Sequence, residues 1–311
     1  MLLYIEVILR IFSLYLEGCI LSGDLHCHTR LSDGTLGIED LIAFAKKKGL
    51  ETIAITDHDC LAGTVRSKVI GARHGIQVIP GVELSSTDAE AGKQVHVLCY
   101  LPDAPDMLEG LCKRNSLARK KASHFMMLQT AKRYPVSTEF IIKCATGSTN
   151  LYKKHIMQAL IECGYSDSFN GELYKSLFSK SSENNILVEA KYENVKDVID
   201  SIHTAGGIAI LAHPYASECV DEISKYIEYG IDGIEVFHPS ADEEQQANLK
   251  KIASKHKLLM TGGSDFHGLY NTYKVSLGDY TTPDDCLHAL LTYKSKQKRL
   301  QKKLAQQAIT E

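Results

Sequence analysis

The sequence predicts an α/β domain, a parallel sheet or barrel with a helical insertion, and three observations point there. Short β-rich runs alternate with stretches of helical apolar spacing towards both ends of the chain. These runs end in clusters of His, Asp and Glu, and barrel enzymes gather their chemistry at strand ends, on loops that vary without disturbing the core. Between residues 105 and 190 the alternation stops, and helical spacing without a convincing strand takes its place.

The first strand runs into Gly23–Gly34, GDLHCHTRLSDG, behind the apolar run Cys19-Ile20-Leu21. His26 and His28 are two residues apart, so on an extended strand end both side chains point the same way. Asp33 follows, and Gly34 lets the backbone bend. Two imidazoles and a carboxylate converging on one point make a metal constellation. Alone, an HxH pair is a weak signal and more often a partly buried strand histidine beside a turn aspartate. Recurrence favours the metal: similar clusters follow at Thr56-Asp57-His58-Asp59, Gly81-Val82-Glu83, Val95-His96, Ala212-His213-Pro214 and Ser264-Asp265-Phe266-His267.

Residues 38–48 predict a helix closed by Gly49, and 51–56 a strand ending at Asp57-His58. A helix over 61–74 stops at Gly75. Strands follow over 76–80 and 94–101, the second carrying His96. The insertion keeps helical spacing from Leu108 to Phe125, then holds a helix over 151–163 and another over 172–178. The rhythm resumes with helices over 195–205, 219–229 and 243–256 between strands over 207–212, 231–237 and 258–261. A last helix spans 283–293, and the lysine-rich tail behind it is expected to be frayed or exposed. These readings divide the chain into an extension (1–20), a barrel (21–105 and 190–297), an insertion (106–189) and a basic tail (298–311). Seven of the thirteen histidines sit on or beside the strands, a sorting not expected of scattered core histidines.

A chain of 311 residues is ample for one large α/β domain with an insertion. A net charge of −3 does not advertise a nucleic-acid surface, and duplex DNA is not an expected partner. Nine cysteines, scattered and without CxxC, fit a reducing cytoplasm and no disulfide framework. The first twenty residues are apolar but interrupted by Glu6, Arg10 and Glu17, with no basic stretch before them. That favours an amphipathic extension over a signal or membrane anchor, and no other stretch could span a bilayer.

Taken in order, D-L-H-C-H-T-x-x-S-D-G, I-T-D-H-D, P-G-V-E, H-V-L, A-H-P and G-S-D-F-H resemble the motifs of the PHP (polymerase and histidinol phosphatase) family of metal-dependent phosphoesterases, from about Gly23 to Tyr280. The resemblance implies a distorted (β/α)7 TIM-like barrel with two to three divalent metal ions in its mouth. It implies that His26, His28 and Asp265 hold the first ion, and Asp33, His58 and His267 the second. Glu83 would bridge the first and third, and His96 with His213 would complete the third. The insertion resembles a branch that acts on nucleoside 3′,5′-bisphosphates and, in some members, on the 5′ ends of short RNA. That branch carries a motif like G-R-P-H-I-A-x-A-L-V-x-x-G-Y. Here LYKKHIMQALIECGY matches it at His155, Gly164 and Tyr165, with Lys153 and Lys154 where the arginine and proline stand. The implied activity is hydrolysis of phosphate monoesters of a nucleotide or short RNA by a metal-activated water. The alternatives are a histidinol-phosphate-type phosphatase and a non-catalytic scaffold or nucleic-acid-binding module.

A nitrogen and oxygen ligand set without thiolate suits Mn²⁺, Zn²⁺ or Fe²⁺ better than Mg²⁺ alone. No covalent protein nucleophile is needed. Cys27 lies between ligands with its side chain turned away, which favours a packed small residue over a nucleophile. Asp24, Asp57 and Asp59 neighbour ligands and could orient histidines, and Asp59 could also handle protons. His238 ends a strand and could face substrate. Ordinary turn, cap or loop roles stay open for all four. The insertion's basic residues mostly suit solvated helix faces. Arg114, Arg119, Lys153 and His155 are the candidates to reach over the mouth and hold a second phosphate.

Overall fold

The computed structural model describes residues 22–310, so the expected N-terminal extension lies outside the described residues. Strand β1 (Gly23–Cys27), helix α1 (Ile38–Lys47), strand β2 (Thr52–Ile55), helix α2 (Thr64–His74) and strand β3 (Gln77–Asp88) open the chain, with β1–β2 and β2–β3 paired parallel. Helix α1 buries Ile38, Leu41, Ile42 and Ala45, and its charges complement its dipole, with Glu39 and Asp40 in the first turn and Lys46 and Lys47 in the last. Helix α2 closes on Gly75, whose φ of 72° is left-handed.

Strand β3 departs from the sequence reading. Expected to stop at Pro80, it runs on to Asp88, turns through residues 89–92, and pairs antiparallel with β4 (Lys93–Tyr100) from Gly81↔Tyr100 to Asp88↔Lys93. The parallel pairing expected from the alternation therefore fails on both sides of β4, which also runs against β5. So short a turn cannot make the crossover that parallel strands require. Gly81 is where β3 leaves β2 for β4. A Cβ there would lie 3.1 Å from Thr56 Cγ2 and 3.3 Å from the Tyr100 ring, so the glycine permits a close approach inside the strand and does not end it.

Beyond a 3₁₀ turn at Pro105–Leu108 come α3 (Glu109–Arg133), α4 (Thr138–Cys144), α5 (Lys153–Glu162) and α6 (Glu172–Phe178). Helix α4 was not anticipated; Ser137 caps it by accepting from Phe140 N. Met126, Ile141, Ile156, Leu160 and Phe178 pack these helices around a cluster of their own.

The chain returns through α7 (Val195–Thr204), β5 (Ile208–Leu211), α8 (Ile223–Glu228), β6 (Gly233–Phe237), α9 (Glu243–His256) and β7 (Leu259–Gly262), then a 3₁₀ turn at Gly268–Tyr270 and α10 (Asp284–Thr310). Strands β5, β6 and β7 pair parallel. The tail, expected to be frayed or exposed, continues α10 as helix with Lys298, Arg299, Leu300 and Lys302 exposed, and residues 284–310 contain neither glycine nor proline. No helix among the described residues is long and apolar enough to cross a membrane.

The seven strands lie side by side in chain order. The two edges meet where His28 N donates to Phe266 O (2.9 Å) and Phe266 N to His26 O (3.2 Å), so the barrel is nearly closed. Leu25, Ala54, Ile79, Leu98 and Ile210 meet in one cluster with Tyr100, whose hydroxyl donates to Leu25 O at 2.7 Å. Five strands present their C-terminal ends at one mouth, and β3 presents Glu83 from the middle of its length. The reversed β4 presents its N-terminal half there, which is how His96 joins residues from the others.

Candidate metal centre

Glu83 is the hub. Its Oε2 lies 3.3 Å from His26 Nε2, 3.3 Å from His28 Nε2 and 2.9 Å from His58 Nδ1. Its Oε1 lies 2.8 Å from both His96 Nδ1 and His213 Nε2. Asp265 Oδ1 approaches His28 Nε2 (3.2 Å) and His26 Nε2 (3.5 Å). Asp33 Oδ1 approaches His267 Nε2 (3.3 Å) and His58 Nε2 (3.8 Å). The structure thus brings together all nine residues that the sequence nominated as ligands. Four sets of them could each surround an ion: His28 with Asp33, His58 and His267; His26 with His28 and Asp265; His26 with Glu83 and His213; and His58 with Glu83 and His96. The grouping differs from the expected one: His28 also faces Asp33, His58 also faces Glu83, and His96 and His213, expected on one ion, fall in separate sets with His58 and His26.

Apart from the hydrogen bond between His213 Nε2 and Glu83 Oε1, these contacts are not hydrogen bonds. His26 Nε2, His28 Nε2, Asp33 Oδ1, His58 Nδ1, Glu83 Oε2 and His96 Nδ1 are buried and make no hydrogen bond, although each lies close to another of the set. Buried polar atoms are normally paired. A convergent set of imidazole nitrogens and carboxylate oxygens left in this state fits divalent cations in both donor chemistry and burial. Burial opposes ionisation of Glu83, but the surrounding His58, His96 and His26 outweigh it and hold its carboxyl well below the usual range. Asp265 is likewise held low, against its burial, by His267 and His26. The carboxylates are therefore charged in a site that buries them.

A supporting layer fixes this cluster. Glu235 on β6 was missed by the sequence reading; its Oε1 lies 2.9 Å from His26 Nδ1, and its Oε2 accepts from His213 N at 2.9 Å. The available signal was a charged residue inside the core strand GIEVF, where it is 1% exposed. His238 does not line the cavity above the cluster; it forms a further metal-capable set with His26 and Glu235, and its Nε2 makes no hydrogen bond. It is buried, with Nδ1 2.8 Å from Ser240 Oγ and Nε2 3.7 Å from Asp265 Oδ2. Asp59 accepts from Ser85 N (3.0 Å), Ser85 Oγ (2.8 Å), Asn115 Nδ2 (2.8 Å) and Arg119 NH2 (2.8 Å). Asp57 accepts from Thr29 and Ser32 and pins the loop between the HxH and Asp33. Asp24 accepts from Ser264 N and Gly278 N and pins the segment before Asp265. Cys27 faces Ile38, Ile42 and Ile55 in the core and is fully buried, as expected of a packing residue.

Above the cluster opens a cavity of about 550 Å³, its floor formed by the ligand candidates and its wall by the insertion. Arg119, Lys153, Lys154 and Lys180 line it, with Tyr152 and Tyr174 between them. The Arg119 guanidinium lies between the Tyr152 ring (4.8 Å) and the Tyr192 ring (5.2 Å). Lys154 sits 4.8 Å over the Tyr174 ring, and burial pulls its ammonium down to about 8.

Two of the four nominated phosphate-binding residues do not reach this wall. Arg114 is exposed and pairs with Glu193 at 2.6 Å. It stands five residues before Arg119 on α3, about 140° round the helix, so the two cannot share a face. The residue that does share Arg119's face is Asn115. His155 is turned back to accept from Tyr152 N at 3.1 Å at the start of α5, and it lines a second cavity of about 410 Å³ behind Tyr270. Burial pushes it down to about 4, so it brings no charge.

The profile of the PHP domain matches residues 24–241. The chain is 34% identical over 250 residues to a phosphoribosyl 1,2-cyclic phosphate 1,2-diphosphodiesterase of Eggerthella lenta, covering 79% of this chain and 94% of that protein. It is 28% identical over 249 residues to a 5′-3′ exoribonuclease of Haemophilus influenzae (78% and 89% covered). It is 27% identical over 258 residues to a 3′,5′-nucleoside bisphosphate phosphatase of Chromobacterium violaceum (78% and 86% covered). Among solved structures, one from Bifidobacterium adolescentis assigned to the metal-dependent phosphoesterases superposes with a TM-score of 0.77 at 27% identity, covering 86% of this chain and 95% of that one.

Proposed function

The chain belongs to the PHP domain family and is a metal-dependent hydrolase of phosphoester bonds, and from that premise we propose that its substrate carries a second phosphate: a nucleoside 3′,5′-bisphosphate or the 5′ end of a short RNA. The observation that carries this reading is the split cavity, with a carboxylate and imidazole floor and a separate wall on which Lys153 and Lys154 make no salt bridge among the described residues, while Arg119 pairs with Asp59 and Lys180 with Glu189. One phosphate needs only the floor. Cations held away from it are useful to a second anionic group.

In this reading His26, His28, Asp33, His58, Glu83, His96, His213, Asp265 and His267 hold two to three divalent ions, Mn²⁺ first, with Zn²⁺ or Fe²⁺ as alternatives. Such ions polarise phosphoryl oxygens and lower the pKa of water. The chain's own residues do the rest. Glu235 fixes the His26 ring through Nδ1, leaving Nε2 directed at the centre. The lid cations hold the remote phosphate, so its binding energy is spent on orienting the ester. The tyrosines of the wall exclude water and hold Arg119 and Lys154 over their rings.

A second reading rests on the Eggerthella relative, named for phosphoribosyl 1,2-cyclic phosphate. That compound is a sugar with one cyclic and one further phosphate, and the same division of floor and wall suits it. The test is turnover by Mn²⁺-loaded protein of adenosine 3′,5′-bisphosphate, the two monophosphates, a 5′-phosphorylated RNA pentamer and phosphoribosyl 1,2-cyclic phosphate, read as phosphate released from the monoesters, mononucleotide released from the pentamer and opening of the cyclic diester. Preference for any doubly phosphorylated substrate over both monophosphates supports the proposal; equal rates on all of them reject it.

A further inference from the structure

A second surface lies directly behind the cavity wall. Between α3 and the extended segment 187–191 runs a groove of about 640 Å³. Ala122, Val188, Glu189 and Ala190 line both this groove and the metal cavity, so the two are separated by a wall one chain thick. On α3, Leu117, Lys121 and Phe125 recur every four residues along the groove. Leu117 is 53% and Phe125 49% exposed, unusual for large apolar side chains beside lysines. The two acidic groups nearby are already paired, Glu189 with Lys180 (2.7 Å) and Glu193 with Arg114 (2.6 Å). Lys121 and Lys191 make no salt bridge among the described residues, so the groove carries a net positive charge. Leu187, Val188 and Glu189 make no backbone hydrogen bond among the described residues, which leaves amide donors along the wall.

We propose that this groove takes the downstream nucleotides of a single-stranded RNA whose 5′ end occupies the metal cavity. The inference rests on the RNA arm of the function proposed above. Lysines along a backbone path and an exposed aromatic face are what single-stranded nucleic acid requires, phosphates meeting the cations and a base stacking on the ring. A mononucleotide ends inside the cavity and never reaches Phe125.

The experiment measures kcat/KM of the Mn²⁺-loaded full-length protein on a 5′-phosphorylated RNA pentamer and on adenosine 3′,5′-bisphosphate. The variants are Phe125→Ala and, separately, Lys121→Glu with Lys191→Glu. All of these side chains are solvent-exposed, and melting temperatures verify the fold. On the pentamer we expect Phe125→Ala to lose at least about fivefold, the low end of one base stack, and the charge variant to fall below the wild type as well. The charge variant should also show a shallower salt dependence. On the bisphosphate we expect a change of less than about twofold. Unchanged pentamer rates in both variants overturn the groove, as do equal losses on both substrates. A wild-type protein that turns over the bisphosphate but not the pentamer fails differently: the RNA reading itself is then wrong, and the groove falls with it.

Discussion

Arg119 on α3 donates to Asp59 Oδ2 at 2.8 Å, across the join between the insertion and the barrel. Asn115, one turn earlier on the same helix face, donates to Asp59 Oδ1 at 2.8 Å and to Ser85 O at 2.7 Å. Asp59 directly follows His58, and Ser85 stands two residues after Glu83. One helix face thus holds the two backbone segments that carry the hub and one of its histidines. The lid and the centre are built as a unit.

Replacing Asp59 with Asn tests that tether. Asp59 has a left-handed φ of 49°, which asparagine tolerates well, so the substitution removes charge and spares the backbone. It strands the Arg119 guanidinium, which burial already opposes. We expect a loss of about 3 kcal/mol, the low end for breaking a buried pair, together with a lower metal content by elemental analysis. Calorimetry that finds the melting temperature within about 2 °C of wild type, with full metal, rejects the tether.

Glu235→Gln probes the support beneath His26. The amide keeps the shape but cannot hold the imidazole as a carboxylate does. Partners of this kind are worth about 10–100-fold in metal affinity. Titration of the stripped protein with Mn²⁺ should show that weakening while the circular dichroism stays native. Unaltered affinity would falsify the assignment of Glu235 to the site.

The pH dependence of stability has a contributor far from the centre. His203 Nε2 lies 2.9 Å from Asp232 Oδ2, and this hydrogen bond raises the histidine's pKa against its partial burial. A folded pKa above the unfolded value near 6.5 means stability that is fully present below about 6.5 and lost as pH rises through the folded value. His203→Gln should therefore destabilise the protein more at acidic than at alkaline pH. The side chain is partly exposed, so the difference should be under about 1 kcal/mol. Urea unfolding at fixed metal concentration measures it; a penalty that grows with pH has the wrong sign.

Much of this molecule was legible in its sequence because the strand ends are marked by histidine and carboxylate. What escaped has physical causes. Gly81 reads as a strand stop but is a close-approach glycine, which hid the β3–β4 hairpin and the reversal of β4. Glu235 sits in an apolar strand, where its inward direction depends on register. The spacing of Arg114, Arg119 and His155 gave proximity in the chain but not rotation about a helix, nor the cap that turns His155 away. The continuation of α10 was missed because charge was read as disorder, although the segment contains no helix breaker.

The remaining prediction concerns the second phosphate. Lys153 and Lys154 stand at the start of α5 and line the cavity, in the places that carry arginine and proline in the resembling motif. Lysine supplies point charge without the bidentate fork, so the wall should attract a phosphate through charge more than through geometry. Lys153→Ala with Lys154→Ala should reduce kcat/KM on nucleoside 3′,5′-bisphosphates by at least about tenfold, or about 1.4 kcal/mol. Monophosphate hydrolysis, which uses the floor alone, should change far less. A pH arm sharpens the test. Burial places Lys154 at about 8, so its charge, and part of the bisphosphate advantage, should fade as pH rises through that value. The ratio of the two kcat/KM values cancels changes common to both substrates. A ratio near one in the wild type, or one that neither the double substitution nor alkaline pH lowers, shows that the insertion does not read a second phosphate.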